Sequence, residues 1–417
     1  MGEQTVGKVP PIRFKGFEGK WDQQALGELF SITSAARVHK HEWRQSGVPF
    51  FRSSDVVCSF KGDENNKAFI SHELYEALSA KVGRVKSGDI LVTGGGSIGI
   101  PYLVRSDKPL YFKDADLLWF KIRQTVDGYY LYTFFTSQPF RRYLNSISHI
   151  GTIAHYTVQQ AKGTPVTLPR DSSEQTQIGD YFRALDGLIG LHQRKHGKLV
   201  TLKKAMLQKM FPQPGATTPE IRFKGFEGDW VEKRLGEVAT FLKGRGLPKS
   251  ALVPNGAEPC IHYGELFTRY PEIIGEIISR TNSSLDAFRS NANDVLMPTS
   301  DVTPRGLAKA SCLTVGGVIL GGDILVIRSE AKQIYGSFLS YFIRREEDQV
   351  LQFVRGSTVF HLYGSDMKNF IFSMPSVSEQ TAIATYFRTL DALITQHATQ
   401  LQKLQQLKSA CLEKMFV

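Results

Sequence analysis

The side chains best suited to chemistry in this sequence lie in loops rich in glycine, hydroxyl and histidine groups, not in a catalytic signature. Gly94-Gly-Gly-Ser-Ile-Gly99 fits G-x-G-x-x-G, which in a dinucleotide site brings backbone against a pyrophosphate where a helix opens. Here Pro101 and the β-like run Ile100-Pro-Tyr-Leu-Val104 follow instead, so the segment reads as a flexible loop able to approach a ligand closely. The sequence has no G-x4-G-K-[ST], no H-E-x-x-H, no G-x-S-x-G and no convincing acid pair. It also lacks an Asn/Asp-Pro-Pro-aromatic tetrapeptide, because Val9-Pro-Pro-Ile12 has no polar residue to hold an exocyclic amine. His39 and His41 flank Lys40 without further ligands at metal spacing and read as a surface loop. Cys58, Cys260, Cys312 and Cys411 stand singly, as reduced core or interface thiols do.

What remains is a set of loop residues whose hydroxyl, imidazole and guanidinium groups suit base edges and phosphates. Arg52 and Ser53 align with His262 and Tyr263. The loop from Thr93 to Ser97, with Tyr102 beyond it, aligns with the loop holding Thr299, Ser300 and Arg305. His149, Thr152, His155 and Tyr156 align with Arg355, Ser357, Thr358 and His361. Arg37 and Lys40 correspond roughly to Lys243, Arg245 and Lys249. Any one of these also reads as an ordinary surface residue.

These pairings exist because the chain is written twice. Ile12-Arg-Phe-Lys-Gly-Phe-Glu-Gly19 recurs unchanged as Ile221 to Gly228, and Trp21-x4-Leu-Gly-Glu28 as Trp230-x4-Leu-Gly-Glu237. Ser173-Glu-Gln-Thr176 recurs as Ser378-Glu-Gln-Thr381; from there to Phe211 and Phe416, 22 of 39 positions are identical. Between these similar ends the copies share pattern only. The joint, Pro212-Gln-Pro-Gly-Ala-Thr-Thr-Pro219, reads as a connection between domains.

Residues 173–211 and 378–416 lack proline and carry apolar residues at steps of three and four, which predicts two long helices. One stripe runs through Ile178, Phe182, Leu185, Ile189, Leu199, Leu202 and Met206, the other through Ile383, Phe387, Leu390, Ile394, Leu404, Leu407 and Cys411. Ser173 and Ser378 are the expected N-caps. Helices of this length, about 58 Å at ~1.5 Å per residue, are expected to pair with each other, antiparallel. His192 and His397 fall at equivalent seam positions, where a polar residue fixes register. The outer face of the second helix is rich in glutamine (Gln396, Gln400, Gln402, Gln405, Gln406) and suits a partner protein as well as water.

The expected fold class is α+β: two similar globular domains, each followed by a long helix, with pseudo-two-fold symmetry. The expected boundaries are 1–170, a helix over 171–211, a linker over 212–219, a second domain over 220–376 and a helix over 377–417. Strands are expected at Phe50-Phe51, 89–93, 100–104, 116–122, 260–263, 294–297 and 323–327, and helices over 128–145 and 335–353. The composition, 41% hydrophobic with a net charge of +11 over 417 residues, excludes a disordered chain and points mildly to a polyanionic partner. Residues 1–170 hold 22 basic and 15 acidic side chains, whereas 215–376 hold 18 of each, so the excess sits mainly in the first domain. No run approaches the ~18 apolar residues of a membrane span, and the first residues lack the apolar segment of a secretory signal. A soluble, cytoplasmic protein is expected.

The order of these elements resembles the specificity (S) subunit of Type I restriction-modification systems. The resemblance rests on the two Trp-x4-Leu-Gly-Glu starts, on Gly356-Ser-Thr-x-x-His-Leu-Tyr-Gly-Ser-Asp-Met-Lys368, and on the Pro169…Glu174-Gln175 and Pro375…Glu379-Gln380 entries to the helices. It implies two target-recognition domains, each reading half of a bipartite double-stranded DNA site, and conserved helices that set the spacer. It further implies two methyltransferase (M) subunits docked on the helices, with restriction/translocase (R) subunits joining them. No cofactor is expected in this chain; S-adenosylmethionine, ATP and Mg2+ would belong to the partners, and no catalytic residue is expected. The sequence alone leaves open a stand-alone methyltransferase or nuclease, and a coiled-coil scaffold without DNA affinity. The first copy departs at Gly151-Thr-Ile-Ala-His-Tyr156, one residue shorter than its counterpart.

Overall fold

The computed structural model describes residues 8–122, 126–147, 155–283 and 286–417. The chain forms two compact units, residues 1–194 with 398–417, and residues 195–397. The division falls inside both long helices, Ser172–Lys209 and Val377–Lys414.

In the first unit the central sheet runs Ser31–Thr33, Leu117–Lys121, Ile90–Thr93, Pro101–Leu103, all neighbours antiparallel. Ile90–Thr93 is buried throughout because side chains alternate between two covered faces. Ile90, Val92, Leu118 and Phe120 enter one hydrophobic cluster, and Leu91, Leu117 and Trp119 another. A second sheet joins Ala68–Ile70, Val48–Phe51 and Tyr111–Phe112.

The second unit repeats this logic with more strands. Its main sheet runs Ala239–Lys243, Ile324–Ser329, Val295–Pro298, Ser311–Leu313, Ile273–Ile274. Val295, Met297, Leu325 and Ile327 face one cluster, while Leu296, Ile324 and Val326 face the other. The strand expected at 260–263 lies earlier, at Glu258–Ile261, so His262 and Tyr263 begin a turn.

The two single helices expected in the domains are each broken. The first is Gly128–Phe134 and Gln138–Ile147, separated where the Ser137 hydroxyl turns back to the Phe134 carbonyl and Pro139 lacks a donor. The second is Gly336–Arg345 and Glu347–Leu351.

The sequence strings that recur without change latch the start of each copy to its long helix. Arg13 forms two hydrogen bonds to the Glu174 carboxylate, at 2.6 and 2.7 Å, and also donates to the carbonyls of Glu18 and Gly19. Arg222 does the same with Glu379, at 2.8 Å twice, and with Glu227 and Gly228. Gln175 and Gln380 each donate to a proline carbonyl, Pro169 and Pro375, at 3.0 Å. The Leu-Gly-Glu motif needs its glycine because a Cβ on Gly27 would lie 2.8 Å from the Lys162 Cβ, and one on Gly236 2.9 Å from the Lys368 Cβ.

The helix N-caps lie two residues before the serines expected to cap. Asp171 accepts from the Ser173 amide at 2.8 Å, and Ser376 accepts from the Glu379 amide at 3.3 Å.

Within each unit the long helices pack antiparallel. In the first, Tyr181 meets Cys411 at 3.5 Å, Lys408 meets Asp186 at 2.6 Å, and Phe416 packs on Phe182 and Tyr130. In the second, Lys203 meets Asp391 at 2.6 Å and Phe211 packs on Phe387 with centroids 6.0 Å apart. The seam stripe holds at its ends, but Leu202 and Leu407 point outward, 39% and 47% exposed, and the adjacent lysines take their place. His192 and His397 are half-buried, and the glutamines of the second helix's outer face are exposed.

Candidate nucleic-acid interface

Hydrogen bonds at the ends of the central strands establish which loop residues are equivalent. In the first unit the Gly94 amide donates to the Asp116 carbonyl and the Gly94 carbonyl accepts from the Tyr156 amide, both at 2.8 Å. In the second the Thr299 amide donates to Asp323 and the Thr299 carbonyl accepts from Leu362, both at 3.0 Å. Gly94 therefore matches Thr299, and Tyr156 matches Leu362. The alignment expected from sequence shifts accordingly: His155, not Tyr156, is the counterpart of His361. The first copy is one residue shorter here, with one residue less between Gly151 and His155 than between Gly356 and His361, which explains the slip.

Each of these strand ends borders a cleft. In the second unit a cavity of about 520 Å³ is lined by Lys243, Thr299, Ser300, Asp323, His361, Tyr363 and Lys368. Ser300 pairs with His361 across a short antiparallel ladder, and the His361 ring stacks on Tyr363 with centroids 6.2 Å apart. Tyr363 is 50% exposed. In the first unit the equivalent cavity, about 430 Å³, is lined by Ser34, Gly94, Asp114, His155, Tyr156 and Thr157.

Four expected residues of the second unit, Lys243, Thr299, Ser300 and His361, thus meet in one place. Arg305 is exposed in a separate depression with Asp301, Thr303 and Lys309, its guanidinium 3.3 Å from Glu347. Arg355 is exposed and paired with Asp366 at 2.6 Å, and Ser357 and Thr358 are exposed on the same turn. Arg245 and Lys249 are exposed outside the cleft. His262 accepts from the Gly264 amide at 3.2 Å and packs on Tyr263 with the rings tilted 44° apart; both are half-buried.

The first unit divides differently. Arg37 is exposed and paired with Asp114 at 3.3 Å, and Lys40 is exposed in a short 3-10 turn. Arg52 is consumed internally by a two-pronged pair with Asp55, whose hydrogen bond raises the guanidinium pKa, and it also donates to the Asn66 carbonyl. Ser53 donates to the Asp116 carbonyl at 2.9 Å. The expected match of Arg52-Ser53 with His262-Tyr263 is also the structural one, since each pair follows a strand that pairs in parallel with its neighbour.

Thr93 is fully buried, and its hydroxyl accepts from the Ile100 amide at 2.8 Å and bonds Ser97, closing the glycine loop. The glycines there serve packing: a Cβ on Gly94 would lie 2.7 Å from the Tyr156 carbonyl, and one on Gly99 would strike Leu144. Ser97 is exposed at the loop tip. Tyr102 packs on Phe51 with centroids 5.0 Å apart, and burial raises its phenol pKa. Tyr156 is buried, its hydroxyl 2.6 Å from Thr164, and burial pushes its pKa up. His149 and Thr152 lie outside the described residues.

Sequence reasoning missed Tyr363 and Lys368 as cleft residues. The available signal was an exposed aromatic one residue past a strand-forming Phe-His-Leu run. Among the described residues no group of three or more His, Cys, Asp or Glu is placed to hold a metal, and no helix is long and apolar enough to cross a membrane.

Comparison with known proteins converges on one family. The model for the Type I restriction modification DNA specificity domain matches residues 18–200 and again 227–406. A Haemophilus influenzae chain described as a type I restriction enzyme specificity subunit is 26% identical over 168 residues, 39% of this chain and 40% of that one. The chain thus aligns with less than half the length of this relative. The S subunit of a Type I restriction-modification system from M. genitalium has the same fold, with a TM-score of 0.66 at 15% identity over 98% of this chain and 99% of that one. The HsdS subunit from Thermoanaerobacter tengcongensis aligns over 95% of this chain and 96% of its own, with 17% identity and a TM-score of 0.42.

Proposed function

The chain belongs to the family of Type I restriction-modification specificity subunits, and from that premise we propose that each unit reads one half of a bipartite DNA site. The chain is a non-catalytic DNA-specificity subunit. Its recognition domains are assigned to residues 1–170 and 220–376, its helical spacers to 171–211 and 377–417, and the linker to 212–219.

The observation that supports the two-reader assignment is the pair of equivalent clefts with unlike linings. Lys243 and Thr299 stand in the second where Ser34 and Gly94 stand in the first, and Ser300 lines the second with no counterpart lining the first. Hydroxyl and amine groups at one cleft and a glycine-rich edge at the other offer different donors and acceptors to base edges, which is what two different half-sites require. Exposed basic residues outside the clefts, Arg37, Lys40, Arg245, Lys249, Arg305 and Arg355, supply phosphate contacts that hold register.

The paired helices set the number of unread base pairs between half-sites and dock two methyltransferase subunits on their exposed faces. Restriction/translocase subunits join that complex, and S-adenosylmethionine, ATP and Mg2+ act on those partners. The assembly works in the cytoplasm, where its DNA lies. Mapping methylated adenines in host DNA tests the reading directly, because it returns both half-sites and the spacer together. A single uninterrupted motif would overturn it. Binding of the full chain to the mapped duplex falls steeply with salt, and a scrambled duplex binds as weakly as non-specific DNA.

A further inference from the structure

The two clefts differ at most polar positions, yet each keeps a histidine at the same place. Thr157 stands where Tyr363 stands, Gly94 where Thr299 stands, and Ser34 where Lys243 stands. The strand-end aspartates Asp116 and Asp323 are also common, but each is paired with a lysine, Lys113 at 2.7 Å and Lys243 at 3.6 Å. His155 and His361 keep their chemistry as well, each one residue before the amide that bonds the strand-end carbonyl, Tyr156 to Gly94 and Leu362 to Thr299. Leu118 and Leu325, two residues beyond Asp116 and Asp323, form the shared apolar wall.

Neither imidazole is used to build the fold. His155 is exposed and His361 half-buried, and among the described residues no hydrogen bond to a ring nitrogen of either is formed. His361 is held by its backbone, which exchanges two hydrogen bonds with Arg355 at 3.0 and 2.7 Å, and by its stack on Tyr363. The ring is therefore oriented while its nitrogens stay available at the cleft.

Two readers of unlike half-sites differ at the positions that discriminate their bases. A group held constant between them fits something both half-sites have in common, and the sugar-phosphate backbone is what they share at every position. Resting on the bipartite-DNA reading above, we propose that His155 and His361 are equivalent phosphate anchors. Each donates an imidazole N–H to one phosphate oxygen of its own half-site, and the variable residues around it, with Thr299, Ser300 and Tyr363 in the second unit, read the bases. Specificity in each cleft is then divided between one fixed anchor and a replaceable set of readers.

The test uses the full chain with its methyltransferase partner and the duplex found by methylation mapping, together with duplexes carrying each single-base change. His361→Gln lowers affinity for the cognate duplex about tenfold, the scale of one hydrogen bond to a charged group. It leaves the ranking of the single-base variants unchanged, whereas Tyr363→Ala and Thr299→Val reorder the ranking at that half-site. His155→Gln does the same for the other half-site. Replacing phosphates one at a time by neutral methylphosphonate supplies a check independent of fold stability. At one linkage the difference between the parent protein and His361→Gln disappears.

A reordered base ranking in His361→Gln would show that the histidine reads a base and overturn the proposal. Unchanged affinity would overturn it too, as would the absence of any linkage that removes the difference. These outcomes leave bipartite recognition standing. If the parent complex itself does not prefer the bipartite duplex, the underlying reading fails instead.

Discussion

Lys203 on the first long helix lies 2.6 Å from Asp391 on the second, and the counterparts of both residues repeat the bond in reverse, Lys408 to Asp186 at 2.6 Å. Each aspartate also receives a phenol from its own unit, Tyr129 to Asp186 at 2.9 Å and Tyr341 to Asp391 at 2.6 Å. The seam between the helices is thus closed by charge and hydrogen bonds where a heptad would place leucine. A mispaired or shifted helix would leave half-buried carboxylates without a cation, so the cluster selects one register.

Lys203 also bonds Glu272 at 2.8 Å, so Lys203→Met deprives two acids of their partner. We expect a loss of about 1–3 kcal/mol in urea unfolding. Adding Asp391→Asn recovers part of it, and a double-mutant cycle gives the coupling.

The arginine latches are more costly to break. Glu174 and Glu379 are almost fully buried, and each is matched by one guanidinium. Arg13→Ala or Arg222→Ala leaves a buried, unpaired carboxylate, and the expected cost is about 3–5 kcal/mol. Hydrogen exchange should show the loss confined to the unit that carries the substitution.

Acid acts through Glu272. Burial pushes its carboxyl up, but the charges of Arg344 and Lys203 outweigh burial and hold it below the usual carboxylate range. The stabilisation is fully present above the unfolded value of about 4.3 and is lost as pH falls through the lower folded value. Urea midpoints measured between neutral pH and pH 3 should drop in that window, and less so in Lys203→Met.

Phe416 is buried against Phe182 and Tyr130, as Phe211 is against Phe387 and Trp230. Phe416→Ala costs about 3–5 kcal/mol and Phe211→Ala a similar amount. Amide protection should fall in the first unit for one and in the second for the other.

Replacing the 299–305 loop changes the sequence of one half-site and leaves the other as it was. Methylation mapping reads both, and simultaneous relaxation of the two would contradict modular reading.

The doubled plan was legible because its fixings are local strings. The latch arginine sits in Ile-Arg-Phe-Lys-Gly-Phe-Glu-Gly, its acid in Ser-Glu-Gln-Thr, and the anchoring phenylalanine closes each helix. The seam lysines were hidden because Leu202 and Leu407 satisfy a helical stripe equally well on paper; only the acid on the facing helix decides which neighbour turns inward. Arg52 looked free for DNA because its captor, Asp55, lies three residues on in the first turn of the helix Ser53–Lys61, for which the sequence pattern gives no expectation. The equivalence of His155 and His361 depended on strand-end hydrogen bonds that no string of letters records.

The first unit is completed by residues 398–417, whereas the second is one unbroken stretch, 195–397. Synthesis from the N-terminus therefore delivers every part of the second unit before the first unit has its last helical turns or Phe416. The unit whose larger part is made earlier is the one that must wait, holding open the apolar surface around Phe182 and Tyr130 until residues 398–417 have been added.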